Sequence, residues 1–264
     1  MSGLFYPDDA SALRRTISEC FQNGPGSPKD AGPGDMPYGV VCPHAGYVYS
    51  GAVAAHSYAE MNRARPPYVI LVGPNHRGSG PALSLSGHGR WETPLGASPV
   101  WYGGDISWCG ALPDTPSHAP EHSLEVQLPM IQHVWGDVPI SPILMNDQSQ
   151  SAAERLGRHL AGMAGRDRPA FIASSDLTHY SPEEVARRQD AALLEAVLEM
   201  DTDHLYRTLL QRRVTACGYG AIAAAIEYCR ARGATAGRLL KYDTSAAASG
   251  DASSVVGYCS VAFY

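Results

Sequence analysis

Tyr68-Val-Ile-Leu-Val-Gly-Pro-Asn-His76 is a short apolar run, closed by Gly and Pro, that delivers a histidine at its end. Two other stretches share the design: Tyr38-Gly-Val-Val-Cys-Pro-His44 and Ala170-Phe-Ile-Ala-Ser-Ser-Asp-Leu-Thr-His179. Such a run, bounded by turn residues, predicts a strand buried on both faces. Strands of that kind build parallel sheets, and ligands of an open α/β sheet bind in the crevice outside the strands' carboxyl ends. The repeated design therefore predicts one converging site, and the use that best suits a cluster of imidazoles there is a metal.

Working outward, the spacing predicts helices over 51–63, 123–134, 151–164, 181–200, 203–210 and 218–232, with further strands over 138–145, 239–243 and 254–263. Residues 80–102 read as short strands and turns, and 24–37 as a surface loop. Ser123 is the expected cap of its helix, and Pro129 inside it predicts a kink or a late start. Ser181-Pro-Glu-Glu reads as cap, first helical position and acidic first turn. Strands alternating with helices give an α/β sandwich with a largely parallel sheet. No linker divides the chain, so one domain is expected over 1–264.

Composition fits an enzyme of this class. The chain has 264 residues, 44% hydrophobic and 17% charged, enough to bury a core and too apolar for disorder. A net charge of −6 argues against a nucleic-acid binder. No signal peptide or membrane-length apolar run is visible, so a cytoplasmic location is expected, with no membrane partner. The six cysteines form no Cys-x-x-Cys pair and should be reduced. A homo-oligomer is compatible with the sequence, which does not specify one.

A lone histidine after a strand more often bonds a backbone carbonyl than a metal; His44 and His76 gain weight because the topology joins them. Asp176-Leu-Thr-His179 sets a carboxylate three residues from an imidazole, a pair suited to acid/base work with the Asp fixing the tautomer. Glu121-His-Ser-Leu-Glu125 repeats that spacing with His122 and Glu125. Cys217 precedes Gly218 and Gly220 at the start of an Ala-rich helix, where the macrodipole favours a thiolate. Two imidazoles and one anion hold a divalent transition metal with open positions. From the residues alone, that anion could be Cys217, Asp176 or Glu125. His56, His88, His118, His133, His159 and His204 fit no cluster. No Gly-x-Ser-x-Gly or His-Glu-x-x-His motif is present, which excludes the common serine hydrolase and zincin signatures.

Gly3-Leu-Phe-Tyr-Pro, Pro43-His-Ala-Gly-Tyr-Val-Tyr-Ser-Gly51, Gly73-Pro-Asn-His76, Glu121-His-Ser-Leu-Glu-Val-Gln-Leu-Pro129, Ser174-Ser-Asp-Leu-Thr-His179, Cys217-Gly-Tyr-Gly and the 249–258 segment, in that order, resemble the Memo family, called AmmeMemoRadiSam system protein B in prokaryotes. The resemblance implies a fold like the class III extradiol non-haem iron dioxygenases. It assigns the metal, Fe(II) or alternatively copper, to His44, His76 and Cys217, and catalysis to His179 with Asp176. His122, Glu125, Asn75 and Tyr47 become the substrate-facing residues. A small, phenolic or aromatic substrate and O₂ are the implied partners. Eukaryotic relatives are described as phosphotyrosine-peptide adaptors, a reading that needs cations in the cleft, where only Arg77 qualifies. The extradiol enzymes use a carboxylate where this chain has Cys217, and Ala221 stands where the family leads one to expect Pro.

Overall fold

The computed structural model describes residues 1–26, 36–103 and 110–264, so most of the expected 24–37 loop and Cys109 lie outside the described residues. Each strand–histidine stretch forms its strand: β1 (Gly39–Cys42), β2 (Val69–Pro74) and β8 (Ala170–Ser174). Every residue of the three is buried. Alternate side chains divide between two cores. Val41, Ile70, Val72, Phe171 and Ala173 enter one; Val40, Cys42, Val69, Leu71, Ala170 and Ile172 enter the other. Burial on both faces explains why these runs are continuously apolar instead of alternating.

β1, β8, β2 and β7 (Ile140–Met145) lie side by side and parallel, in that order. The outer strands depart from the parallel expectation. β11 (Val255–Phe263) runs antiparallel to β1 and forms a hairpin with β10 (Gly237–Thr244), while β3 (Leu83–Leu85) runs antiparallel to β7 and parallel to β6 (Ala111–Pro113). The strands expected over 239–243 and 254–263 are present, but neither an apolar run nor a three-residue strand carries a signal of direction, so the antiparallel pairing was not marked. β4 (Arg90–Thr93) and β5 (Gly96–Pro99) form a separate ribbon, as the turn-rich 80–102 segment suggests.

Helices cover both faces, giving the expected α/β/α sandwich. α1 (Ala10–Gln22), α2 (Tyr47–Met61) and α4 (Leu128–Trp135) pack on one side, and α5 (Gln150–Ala164), α6 (Glu183–Leu198), α7 (Thr202–Arg212) and α8 (Tyr219–Ala231) on the other. The alanines of α8 let α5 approach closely: a Cβ on Gly157 would fall 2.4 Å from the Ala224 carbonyl oxygen. The short α3 (Thr115–His118) and α9 (Ala246–Ser249) complete the set among the described residues. No helix there is long and apolar enough to cross a membrane.

Two caps were misplaced by the sequence reading. Ser123 donates its hydroxyl to the Pro74 carbonyl; the segment first makes a 3-10 turn over Glu125–Gln127, and α4 starts late, with Pro129 in its first turn. Ser181 belongs to β9 (His179–Ser181), and Pro182 occupies the cap position of α6. β9 pairs with β11 so that His179 and Ser181 oppose Val256 and Val255, leaving Tyr180 as an extra, bulged residue. Its φ of 57° is left-handed and its side chain is 80% exposed. Bulges beside sites re-aim side chains, and His179, just before this one, bonds Thr215 through both its N–H and its ring. Relieving a left-handed tyrosine is worth roughly 1–2 kcal/mol, less the roughly 0.5–1 kcal/mol entropic cost of glycine. Tyr180→Gly should therefore raise the urea midpoint slightly; a lowered midpoint would show that the exposed ring contributes packing.

Candidate metal centre

The parallel register sets Cys42 level with Ser174 and Val72 level with Ala173, so the loops after β1, β8 and β2 open on one edge. His44 and His76 meet there with ring centroids 5.3 Å apart, nearly perpendicular. Cys217, from the turn before α8, brings Sγ to 3.2 Å from His44 Nε2. One donor atom from each of these three residues lies within 4.8 Å of the others.

The hydrogen bonds fix which ring nitrogen is available. Ser174 Oγ donates its one proton to the Ser123 carbonyl at 2.6 Å and accepts from Gln127 Nε2 at 2.8 Å. Its 3.0 Å contact with His44 Nδ1 therefore needs a proton on Nδ1, which leaves the lone pair on Nε2, facing Cys217. Burial first, then His122 and His76, hold His44 well below the ordinary imidazole range, so its ring is neutral at pH 7. His76 Nδ1 lies 2.8 Å from Glu121 Oε1, and its backbone N–H donates to Oε2 at 2.7 Å. Burial alone would raise Glu121, but the His76 ring and the Ser123 N–H outweigh it and bring the carboxyl to about 2. An ionised carboxylate only accepts, so Nδ1 carries the proton and Nε2 is again free. This is the carboxylate–histidine arrangement that supports metal ligands.

Cys217 departs from the expected helix-stabilised thiolate. Burial, then the Asp176 carboxylate, push its thiol above the usual range, although the Asp176 N–H donates to Sγ at 3.3 Å. Without a cation the S–H can donate to His44 Nε2; a divalent ion replaces that one proton and restores the charge that burial opposes. The donors fit such an ion. His44 Nε2 and Cys217 Sγ, 3.2 Å apart, are close enough for both to bind one such ion. His76, Glu121 and His122 also lie within reach of one ion. Glu121 is already saturated there, by both donors of His76 and by the N–H groups of His122 and Ser123, so this group supports the first.

His179 reaches the same edge but is not oriented by Asp176. Its Nδ1 pairs with the Thr215 carbonyl at 3.1 Å and its N–H donates to Thr215 Oγ1 at 2.8 Å, leaving Nε2 free. Asp176 Oδ1 instead accepts the His44 N–H at 2.8 Å; burial raises this carboxyl, against the opposing effect of that N–H. Of the substrate-facing candidates, only His122 has its ring against those of His44 and His76, stacked between His76 at 4.7 Å and Phe5 at 4.5 Å. Burial, chiefly, lowers it to about 4, so it too is neutral. Asn75 spends its side chain on its own loop, accepting from Arg77 and Gly78 and donating to Ser79. The Tyr47 hydroxyl donates to the Val126 carbonyl, and Glu125 accepts from Tyr6. Each is a scaffold contact. The sequence reading missed Glu121, Ser174 and Thr215 as supports. Only Glu121 carried a signal, as a carboxylate beside His122.

A family profile described as Memo-like protein matches residues 1–262. The chain belongs to the Memo family. Similar proteins include a MEMO1 family protein of Nitrosopumilus maritimus, 41% identical over all of this chain and 98% of the relative. Another from Desulfurococcus amylolyticus is 40% identical over all of this chain and 97% of its own length. A third, from Methanothermobacter thermautotrophicus, is 40% identical over 98% of this chain and 96% of the relative. These names specify no reaction. In this Memo-family chain Ala221 is fully buried in the first turn of α8, which begins normally without the expected proline.

Proposed function

We propose that this protein is a non-haem Fe(II)-dependent oxygenase for a small phenolic or aromatic substrate, with the ion on His44, His76 and Cys217. One observation carries the reading: two imidazoles with Nε2 lone pairs and one thiol converge at a strand-end crevice, each braced by its own buried partner. Three protein ligands leave coordination positions open. Iron(II) held there supplies sites for O₂ and a substrate oxygen and a path for electrons between them. His179 Nε2 is the group that takes or returns the substrate's proton, and Asp176 keeps the His44 backbone in place.

Anaerobic Fe(II) loading followed by O₂-electrode measurements with a panel of catechols and phenols tests this. Substrate-dependent O₂ consumption is expected; metal uptake with no consumption for any phenol would sink the oxygenase reading. That second outcome favours a redox protein holding copper or iron without organic turnover, to which the thiolate donor, softer than a carboxylate, lends support. Glu121→Gln tests the support of His76 directly. It removes the anion that fixes the Nδ1 proton and should weaken metal binding about 10- to 100-fold, read by competition against a chelator. Unaltered affinity would mean that the buried carboxylate serves the fold alone.

A further inference from the structure

Cys217 is held by a strand end that bears no histidine. Gln148 lies in the loop after β7, beside β2 in the sheet. Its Nε2 donates to the Cys217 carbonyl at 2.8 Å, and its Oε1 accepts the Gly220 N–H at 2.9 Å. The amide thus spans the turn from the candidate ligand to the first turn of α8, where an N–H lacks a helical partner. The side chain lies flat against Gly220: a Cβ there would fall 2.8–3.0 Å from the Gln148 Cβ, Cα and Cγ atoms. Gln148 is itself anchored, because its carbonyl accepts the Tyr206 hydroxyl of α7 at 2.7 Å.

The opposite side of the turn rests on the β8 loop. The Gly218 N–H donates to Ser175 Oγ at 2.9 Å and the Cys217 N–H to the Asp176 carbonyl at 3.2 Å. A Cβ on Gly218 would fall 2.4 Å from the Ser174 carbonyl oxygen, so only glycine lets the turn sit this close. These contacts alone leave the carbonyl of Cys217 and the N–H of Gly220 unpaired on the far side, and Gln148 fills both.

We infer that Gln148 is a positioning residue for Cys217: its two-pronged amide fixes the turn at the place where Sγ stands 3.2 Å from His44 Nε2. The inference rests on the metal reading of the site but concerns a residue that touches no metal.

Two variants and two readouts test it. Gln148→Ala removes both prongs. Gln148→Glu keeps the shape and the acceptor for Gly220 but cannot donate to the Cys217 carbonyl. Chelator-stripped protein is titrated with Co(II), whose thiolate charge-transfer band reports ligation by Cys217. Affinity should fall about 10- to 100-fold in Gln148→Ala, the range for losing an outer support of a ligand, with a weaker band per bound ion; Gln148→Glu should show the same signs. In the metal-free proteins, iodoacetamide alkylation read peptide by peptide should accelerate at Cys217 and not at the buried Cys20, Cys42, Cys229 and Cys259. Unchanged alkylation at Cys217 in both variants overturns the inference, as does equal acceleration at every cysteine, which marks general loosening. Unchanged Co(II) affinity overturns it as well where wild type binds the ion. If wild type binds no Co(II), the metal reading falls, while selective alkylation of Cys217 still upholds the clamp.

Discussion

His44→Ala, His76→Ala and Cys217→Ser should each abolish the loading of about one transition metal ion per chain, read by elemental analysis after anaerobic Fe(II) reconstitution. Each change removes a donor outright, so the loss should exceed the 10- to 100-fold typical of outer supports. The serine variant is the most telling. It keeps nearly the shape of cysteine, but a buried hydroxyl does not ionise near neutral pH and cannot supply the anion that the ion needs. His204→Ala is the control, because that ring, on α7, pairs with Glu199 at the end of α6 and belongs to neither candidate group. It should load like wild type. Metal content unchanged in all three ligand variants would place the ion, if there is one, elsewhere. Serial loss in all three with retention in His204→Ala locates it at the strand ends.

The strands and the meeting of their histidines were legible because one physical pattern wrote both. A strand buried on two faces must be a continuous apolar run, and a parallel sheet must release its loops at one edge. His44 and His76, two residues past their strands, could hardly fail to converge. The identity of the third donor was not legible from that logic. Cys217 reaches His44 across 173 positions of chain, through a turn whose placement depends on Gln148 and Ser175. The acid/base pair shows the opposite error. A spacing of three in Asp176–His179 suggests that the two side chains meet, yet spacing speaks for a helix, and here the segment leaves β8 and enters a bulged strand. The carboxylate turns to the His44 N–H and the ring turns to Thr215. Asn75 and Tyr47 illustrate a further limit: a polar group beside a ligand in sequence often serves to build the loop that presents the ligand.

His179→Ala should retain the metal yet lose turnover by roughly 10²- to 10⁴-fold, the usual contribution of a general acid or base. Retention is expected from the geometry, since the proposed ligands are His44, His76 and Cys217, and the His179 ring is anchored through Nδ1 to the Thr215 carbonyl. That anchor makes Nδ1 the protonated nitrogen and presents Nε2 as a base, the tautomer required to accept a proton from a phenol. Because a backbone carbonyl sets the orientation, no single side-chain change removes it. Thr215→Val takes away only the Oγ1 bond to the His179 N–H and should cost far less than removing the ring. Asp176→Asn keeps an oxygen that can accept the His44 N–H, so it should also lose less and should keep its metal. Iron content and O₂ consumption measured on the same samples separate the cases. Loss of iron in His179→Ala would make the ring a ligand, and full activity would leave it a structural residue held by Thr215.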